Sequence, residues 1–275
     1  MWVIGHEPTP EEGNAMNEYD QFARWYDLEH QGFRDDALLY ENLALRCDGP
    51  VLELGCGSGR VCLALAEAGF QVTGVDSSKE MLALASRRAR EQSLLQRVQF
   101  EQVDVRSMAF CPQFALALYP LNGFLHLLTV EDQLAALHNA YQALLPGGVL
   151  VVDLPNPHVV FSTQSDGQVL LRRQFRTAQG GAAASYAITQ TDLVGQRQAL
   201  TLLYEEVDDE GVVRRTTVNT DLRFVYRFEM AHLLERAGFA LDAVYGSYGL
   251  DAYEPDSDLM LFVAYRPRGS TADRS

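Results

Sequence analysis

Glu53, three glycines at alternate positions and a second carboxylate at Asp76 carry the chemistry most readily read from this chain. Val51-Leu52-Glu53-Leu54-Gly55-Cys56-Gly57-Ser58-Gly59-Arg60 is a short apolar run that breaks at its glycines. Val72-Thr73-Gly74-Val75-Asp76 is a second apolar run that ends in an acid. Glycines let a backbone turn sharply and approach a bound molecule with no Cβ in between. A carboxylate at the end of the following strand can accept hydrogen bonds from both hydroxyls of a ribose. The pattern predicts strand, tight loop, helix, strand, with a nucleoside-sized ligand lying across the two strand ends.

Spacing separates two readings of that ligand. A dinucleotide fingerprint runs Gly-x-Gly-x-x-Gly, and its third glycine would fall where this chain has Arg60. A nicotinamide-dependent oxidoreductase is therefore disfavoured. Glu53 with Gly55-x-Gly57-x-Gly59 instead resembles the first motif of the class I S-adenosylmethionine-dependent methyltransferases. That resemblance implies S-adenosylmethionine as cofactor, with Asp76 as the ribose-binding acid beside Ser77. It places Asp104, after a third apolar run, against the adenine amine, with backbone at Val105 fixing the ring. Met81 either packs on the adenine face or belongs to the core, and Cys56 supplies a small side chain inside the loop.

Tyr19-Asp20, Ala23 and Tyr26-Asp27 resemble the opening helix of many small-molecule methyltransferases, which covers the methyl donor. Tyr19 and Tyr26 are thereby candidate lid residues, although plain packing of this aromatic segment explains them equally. Enzymes that methylate amino groups of nucleic-acid bases usually carry Asp/Asn-Pro-Pro-Tyr/Phe after the fourth strand. Here the chain reads Tyr119-Pro120-Leu121-Asn122-Gly123-Phe124-Leu125-His126. Asn122 to His126 resembles the Asn-x-Phe-x-His segment of glycine N-methyltransferase and related enzymes. By that likeness Asn122 and His126 line the methionine end of the cofactor or the acceptor pocket, with Tyr119 close by. His126 is the candidate base if one is used.

The elements that must position these residues follow from pattern and punctuation. Val61–Ala68 reads as a helix stopped by Gly69, and Ser77 with Glu80 reads as a capping box opening a helix to about Gln92. Val98–Val103, Phe114–Tyr119 and Val149–Asp153 are the next strands. Thr129 caps the helix before Pro146-Gly147-Gly148. Glu229–Ala237 is a further helix, and Ala240–Tyr245 with Leu259–Tyr265 finish the sheet as an antiparallel pair. Tyr19 to about Ala44 has one helical, aromatic pattern. Between Pro155 and Phe228 the alternation stops, and Arg172–Thr177, Ser185–Thr191, Ala199–Val207 and Val212–Tyr226 read as antiparallel strands with a turn at 208–211.

The expected fold is α/β: a Rossmann-like, doubly wound, seven-stranded sheet with an antiparallel β insertion after the fifth strand. The expected division is 1–45 as a lid segment, 46–155 with 229–267 as the cofactor-binding core, and 156–228 as the insertion. The insertion would wall the acceptor pocket, make a dimer contact, or both. Arg172 and Arg173 either pair with an acceptor carboxylate or lie on a solvated face.

Composition bounds the partners. Lys plus Arg number 22 against 37 Asp plus Glu, a net charge of −15, which opposes binding to phosphate backbones. No apolar run approaches the ~20 residues of a membrane span, and no secretory signal is visible, so a cytoplasmic location is expected. The four cysteines show no metal-ligand spacing, and no metal is expected. The function these features imply is transfer of a methyl group to an amine, or a hydroxyl, of a small-molecule acceptor by a possible homodimer. The alternative is a noncatalytic S-adenosylmethionine-binding protein.

Overall fold

The structure, a computed structural model, describes Ala23, Trp25, Tyr26, Glu29 and residues 32–163, 166–176, 181–208 and 210–268. Tyr19 lies outside the described residues. All four residues of β1 (Val51–Leu54) are buried, as befits a strand covered on both faces of a parallel sheet. Parallel to it run β2 (Val72–Asp76) on one side and β4 (Phe114–Tyr119) on the other. With β3 (Val98–Gln102), β5 (Leu144–Pro155), β10 (Ala240–Tyr245) and β11 (Leu259–Tyr265), the order is β3-β2-β1-β4-β5-β11-β10. Only β11 runs antiparallel to its neighbours β5 and β10. The predicted seven-stranded sheet is present.

Strand alternation divides the core in two. Leu52, Leu54, Ala117 and Tyr119 pack with the helices α4 (Val130–Ala143) and α6 (Arg227–Arg236). Val51, Leu116 and Leu118 pack with α1 (Ala37–Cys47), α2 (Arg60–Glu67) and α3 (Lys79–Glu91). Glu53 therefore leaves β1 on the α2 side, in register with Val51. No described helix is long and apolar enough to cross a membrane.

Several boundaries differ from the sequence reading. Ser78, not Ser77, is the N-cap of α3, its hydroxyl accepting from the Met81 N–H. The reason is Asp76, whose Oδ1 accepts the Ser78 N–H at 2.8 Å and sets the turn one residue later. The expected continuous helix from Tyr19 to Ala44 is interrupted: Ala23, Trp25, Tyr26 and Glu29 are helical, residues 32–36 form a turn, and α1 begins at Ala37. β5 starts at Leu144, because Leu144 already pairs with Phe114. The pattern also missed α5 (Pro157–Thr163), which opens the insertion. Beyond it, β6 (Leu170–Arg176), β7 (Ala182–Asp192), β8 (Arg197–Val207) and β9 (Val213–Arg223) form a four-stranded antiparallel sheet in sequence order.

Candidate active site

The glycine loop is held by the strand beside it. Gly55 and Cys56 both donate their N–H to the Val75 carbonyl, at 2.9 and 3.0 Å. Gly55, Gly57 and Gly59 all have positive φ, at 68°, 53° and 78°, which a side chain would oppose. At Gly59 space forbids one as well, since a Cβ would stand 3.0 Å from both Ala85 and the Phe100 ring. Asp76 closes the loop from the other side: its Oδ2 accepts the Gly57 N–H at 2.8 Å. Each Asp76 oxygen thus accepts a backbone N–H.

These elements enclose a cavity of about 310 Å³ at the C-terminal ends of β1, β2 and β4. That size suits a small-molecule site. Of the residues singled out from sequence, Tyr26, Gly55, Gly57, Asp76, Ser77, Met81, Asp104, Val105, Tyr119 and His126 line it. Glu53 and Cys56 line a smaller adjoining cavity, which shares Tyr26, Gly55, Gly57, Pro120 and Leu121 with the first. Gly59 and Asn122 line neither. Gly59 lies behind the loop, as its contacts require. Asn122 holds the backbone instead: its N–H donates to the Asp153 carbonyl and its own carbonyl accepts from Leu125.

Leu121 and Asn122 are consecutive residues in the left-handed region, at φ 45° and 64°, a conformation that stores strain in non-glycine residues. Asp153, buried at the end of β5, pins this turn. Its Oδ2 accepts the Leu121 N–H at 3.3 Å and the hydroxyls of Tyr248 at 2.7 Å and Tyr40 at 3.4 Å. Burial drives the Asp153 carboxyl above its usual range. Sequence reading gave Asp153 no role, because its partners lie on three distant elements.

Glu53 is 2% exposed and its Oε2 has no hydrogen-bond partner. Burial lifts its carboxyl to about 7, against the opposing pull of the Cys62 thiol and the Arg60 guanidinium. The Tyr119 hydroxyl is the other buried side-chain atom without a partner among the described residues. An unpartnered buried polar group costs about 1–3 kcal/mol, and a ligand carrying donors into these cavities would relieve both. Burial lowers His126 to about 4, leaving a neutral imidazole, and raises Tyr26 to about 12, leaving a neutral phenol.

Two basic residues complete the walls and were missed in the sequence. Arg106 forks onto Asp104, Nη2 meeting Oδ2 at 2.6 Å and Nε meeting Oδ1 at 3.0 Å, and reaches Asp132 at 3.3 Å. The Arg106 hydrogen bonds hold the Asp104 carboxyl below its ordinary value. An arginine two residues beyond the expected adenine-binding acid was the available signal. Arg60, at the start of α2, clasps the buried Asp36 through two 2.6 Å hydrogen bonds and lies over the Phe33 ring. The two arginines singled out in the insertion, in turn, are occupied: Arg172 pairs with Glu29 at 3.3 Å, and Arg173 donates to the Glu29 carbonyl.

Comparison with known proteins identifies the family. Residues 51–148 match the model of a methyltransferase domain. An uncharacterised methyltransferase of Bacillus licheniformis is 30% identical over 54% of this chain and 67% of its own. The cypemycin N-terminal methyltransferase of a Streptomyces species is 28% identical over 78% of this chain and 82% of its own. The chain spans 55% of the putative methyltransferase YqeM of Bacillus subtilis, 32% identical over half of this chain. Among solved structures, CalS10, an amino pentose methyltransferase from Micromonospora echinaspora with S-adenosylmethionine bound, superposes with a TM-score of 0.69. It is 23% identical and covers 95% of this chain and all of its own.

The chain belongs to the class I S-adenosylmethionine-dependent methyltransferases. S-adenosylmethionine is accordingly the cofactor, and the orphaned Glu53 and Tyr119 oxygens fit a ligand that is cationic at one end and rich in polar groups.

Proposed function

We propose that this protein methylates an amine nitrogen of a small-molecule acceptor. When bound, the cofactor supplies an electrophilic methyl group on a sulfonium whose departure leaves a neutral thioether. The observation that carries the amine is His126. At about 4 its imidazole is too weak a base to take a proton from a hydroxyl near neutral pH, and among the described residues no other histidine and no lysine line the cavity. An amine that arrives uncharged needs none, since its own lone pair attacks.

In this reading Asp76 takes the ribose, with Ser77 beside it; Met81, Val105 and Tyr119 line the adenine end; and Glu53 faces the cationic amino-acid end. Tyr26 covers the reacting centre as a neutral phenol. His126 orients the acceptor amine by accepting one of its hydrogens. The Leu121–Asn122 turn, pinned by Asp153, carries the acceptor side of the wall. Alignment and exclusion of water are what such a site contributes, and alignment alone accounts for about 7–11 kcal/mol in favourable cases. Relatives support the amine: the cypemycin enzyme is named for an N-terminus and CalS10 for an amino sugar.

Calorimetry with S-adenosylhomocysteine, followed by transfer of labelled methyl to matched amine and alcohol panels, tests this. Binding is expected, weakened about 100-fold by Asp76→Ala, with turnover confined to amines. Turnover of alcohols alone would overturn the amine assignment, and binding without any turnover would favour a noncatalytic carrier.

A further inference from the structure

The β insertion presents a built receptor for one carboxylate of the N-terminal segment. Ser185 on β7 and Tyr204 on β8 are cross-strand partners, and both are fully buried. Their hydroxyls converge on Glu29: Ser185 donates to Oε1 at 3.2 Å and Tyr204 to Oε2 at 3.1 Å. Arg172 on β6 adds an ion pair to Oε1 at 3.3 Å. Glu29 is only 6% exposed, and a carboxylate is left in such a place only when donors meet it. Here the side-chain donors come from three strands of one sheet.

Trp25 lies one helical turn before Glu29, so both point the same way. Its ring stacks on Tyr204 with centroids 5.4 Å apart and planes 12° from parallel. Tyr26, the next residue, points about 100° away around the helix and forms part of both cavity walls. The sheet is itself fastened to the cavity's far side. Arg223, at the end of β9, donates to Gln133 at 2.9 Å and to Glu229 at 2.6 Å. Gln133 donates to the carbonyl of Leu127, which lines the cavity beside His126.

We propose that the insertion is the frame that sets the lid, and that Glu29 is a positioning residue that holds Tyr26 over the cofactor. The inference rests on Tyr26 covering the cofactor in the function proposed above. It assigns the inner face of the insertion to the lid, so that loss of the Glu29 receptor acts on cofactor binding at a distance.

The test uses the full chain in a Trp2→Phe background, where Trp25 is the remaining tryptophan of two. S-adenosylhomocysteine affinity and acrylamide quenching of Trp25 are measured for Glu29→Gln, Tyr26→Ala and the double variant. Arg215→Ala, which breaks an exposed pair with Glu205 on the same sheet, is the control. Each single variant is expected to weaken binding about tenfold, the double variant no further, and Glu29→Gln to expose Trp25 to quencher. If Glu29→Gln fails to fold, Ser185→Ala removes one donor and is expected to weaken binding about threefold, again without effect in the Tyr26→Ala chain. Fully multiplying losses in the double variant, or unchanged quenching and affinity in Glu29→Gln, would overturn the proposal. Absence of binding by the parent chain would instead overturn the proposed function, and Trp25 quenching alone would then decide whether Glu29 seats the lid.

Discussion

Replacing Glu53 by Gln should stabilise the cofactor-free protein while impairing it. Glu53 titrates at about 7 in the folded state, against 4.5 for an unperturbed glutamate. The folded protein thus retains a proton that the unfolded chain has already released. Stability from this group is complete below about 4.5 and is lost as pH rises through about 7. The interval corresponds to about 3 kcal/mol at ~1.4 kcal/mol per pH unit. At pH 8 a glutamine of the same size removes that charge, but leaves its own amide N–H groups short of acceptors. Discounting about 1 kcal/mol for them, the variant should be more stable by about 2 kcal/mol. At pH 5 the wild-type carboxyl is already neutral and the difference should be close to zero. Calorimetric melting at the two pH values reads this as a gain of about 4–8 °C at pH 8 alone. S-adenosylhomocysteine should erase the advantage, because in the proposed function the variant gives up the charge that meets the ligand. An equal gain at both pH values, or none at pH 8, would refute the reasoning, since the orphaned carboxylate would not be the source.

Other expectations follow from single contacts. Asp36→Asn leaves the Arg60 guanidinium, 11% exposed, without its buried partner and should cost about 3–5 kcal/mol, read from the denaturant midpoint; a loss under about 1 kcal/mol would show the pair to be dispensable. Gly74→Ala places a Cβ 2.7 Å from the Cys62 sulfur and 2.9 Å from that of Cys56, a clash expected to cost about 1–3 kcal/mol. Adding Cys62→Ala should recover more than half of that cost, and no recovery would locate the strain elsewhere. His126 stays neutral down to about 4 when folded, whereas the unfolded imidazole takes up its proton near 6.5. Its contribution is whole above 6.5 and declines as pH falls towards 4, so His126→Gln should flatten acid destabilisation between those values by about 3 kcal/mol. An unchanged acid limb would contradict the burial of the ring.

What was legible in the sequence was written in contiguous residues. The glycine loop, Asp76 and the five parallel strands announce themselves because a strand and its turn are neighbours in the chain, and β4, β10 and β11 have the predicted limits. Where two adjacent residues fit one rule, the pattern could not choose: Ser77 and Ser78 both qualify as caps, and only the hydrogen bond from Ser78 to Asp76 decides between them. Less legible still were groups whose partners lie far along the chain. Glu29 meets hydroxyls 156 and 175 residues away, and Asp153 gathers Leu121, Tyr40 and Tyr248 from separate elements. Arg172 and Arg173 read equally as partners of an acceptor carboxylate or as a solvated face because nothing local claimed them, yet Glu29 holds both. This bears on why the acceptor is the least readable part of the protein. The most distinctive polar groups of the insertion's inner face are committed to Glu29, and those at its base to Gln133 and Glu229. In the proposed function, acceptor recognition falls to the cavity wall itself, to His126, Leu127, Leu128 and the strained turn before them. Those residues are mostly apolar, so in that reading selection rests on shape and one neutral imidazole, and shape leaves no motif in a sequence.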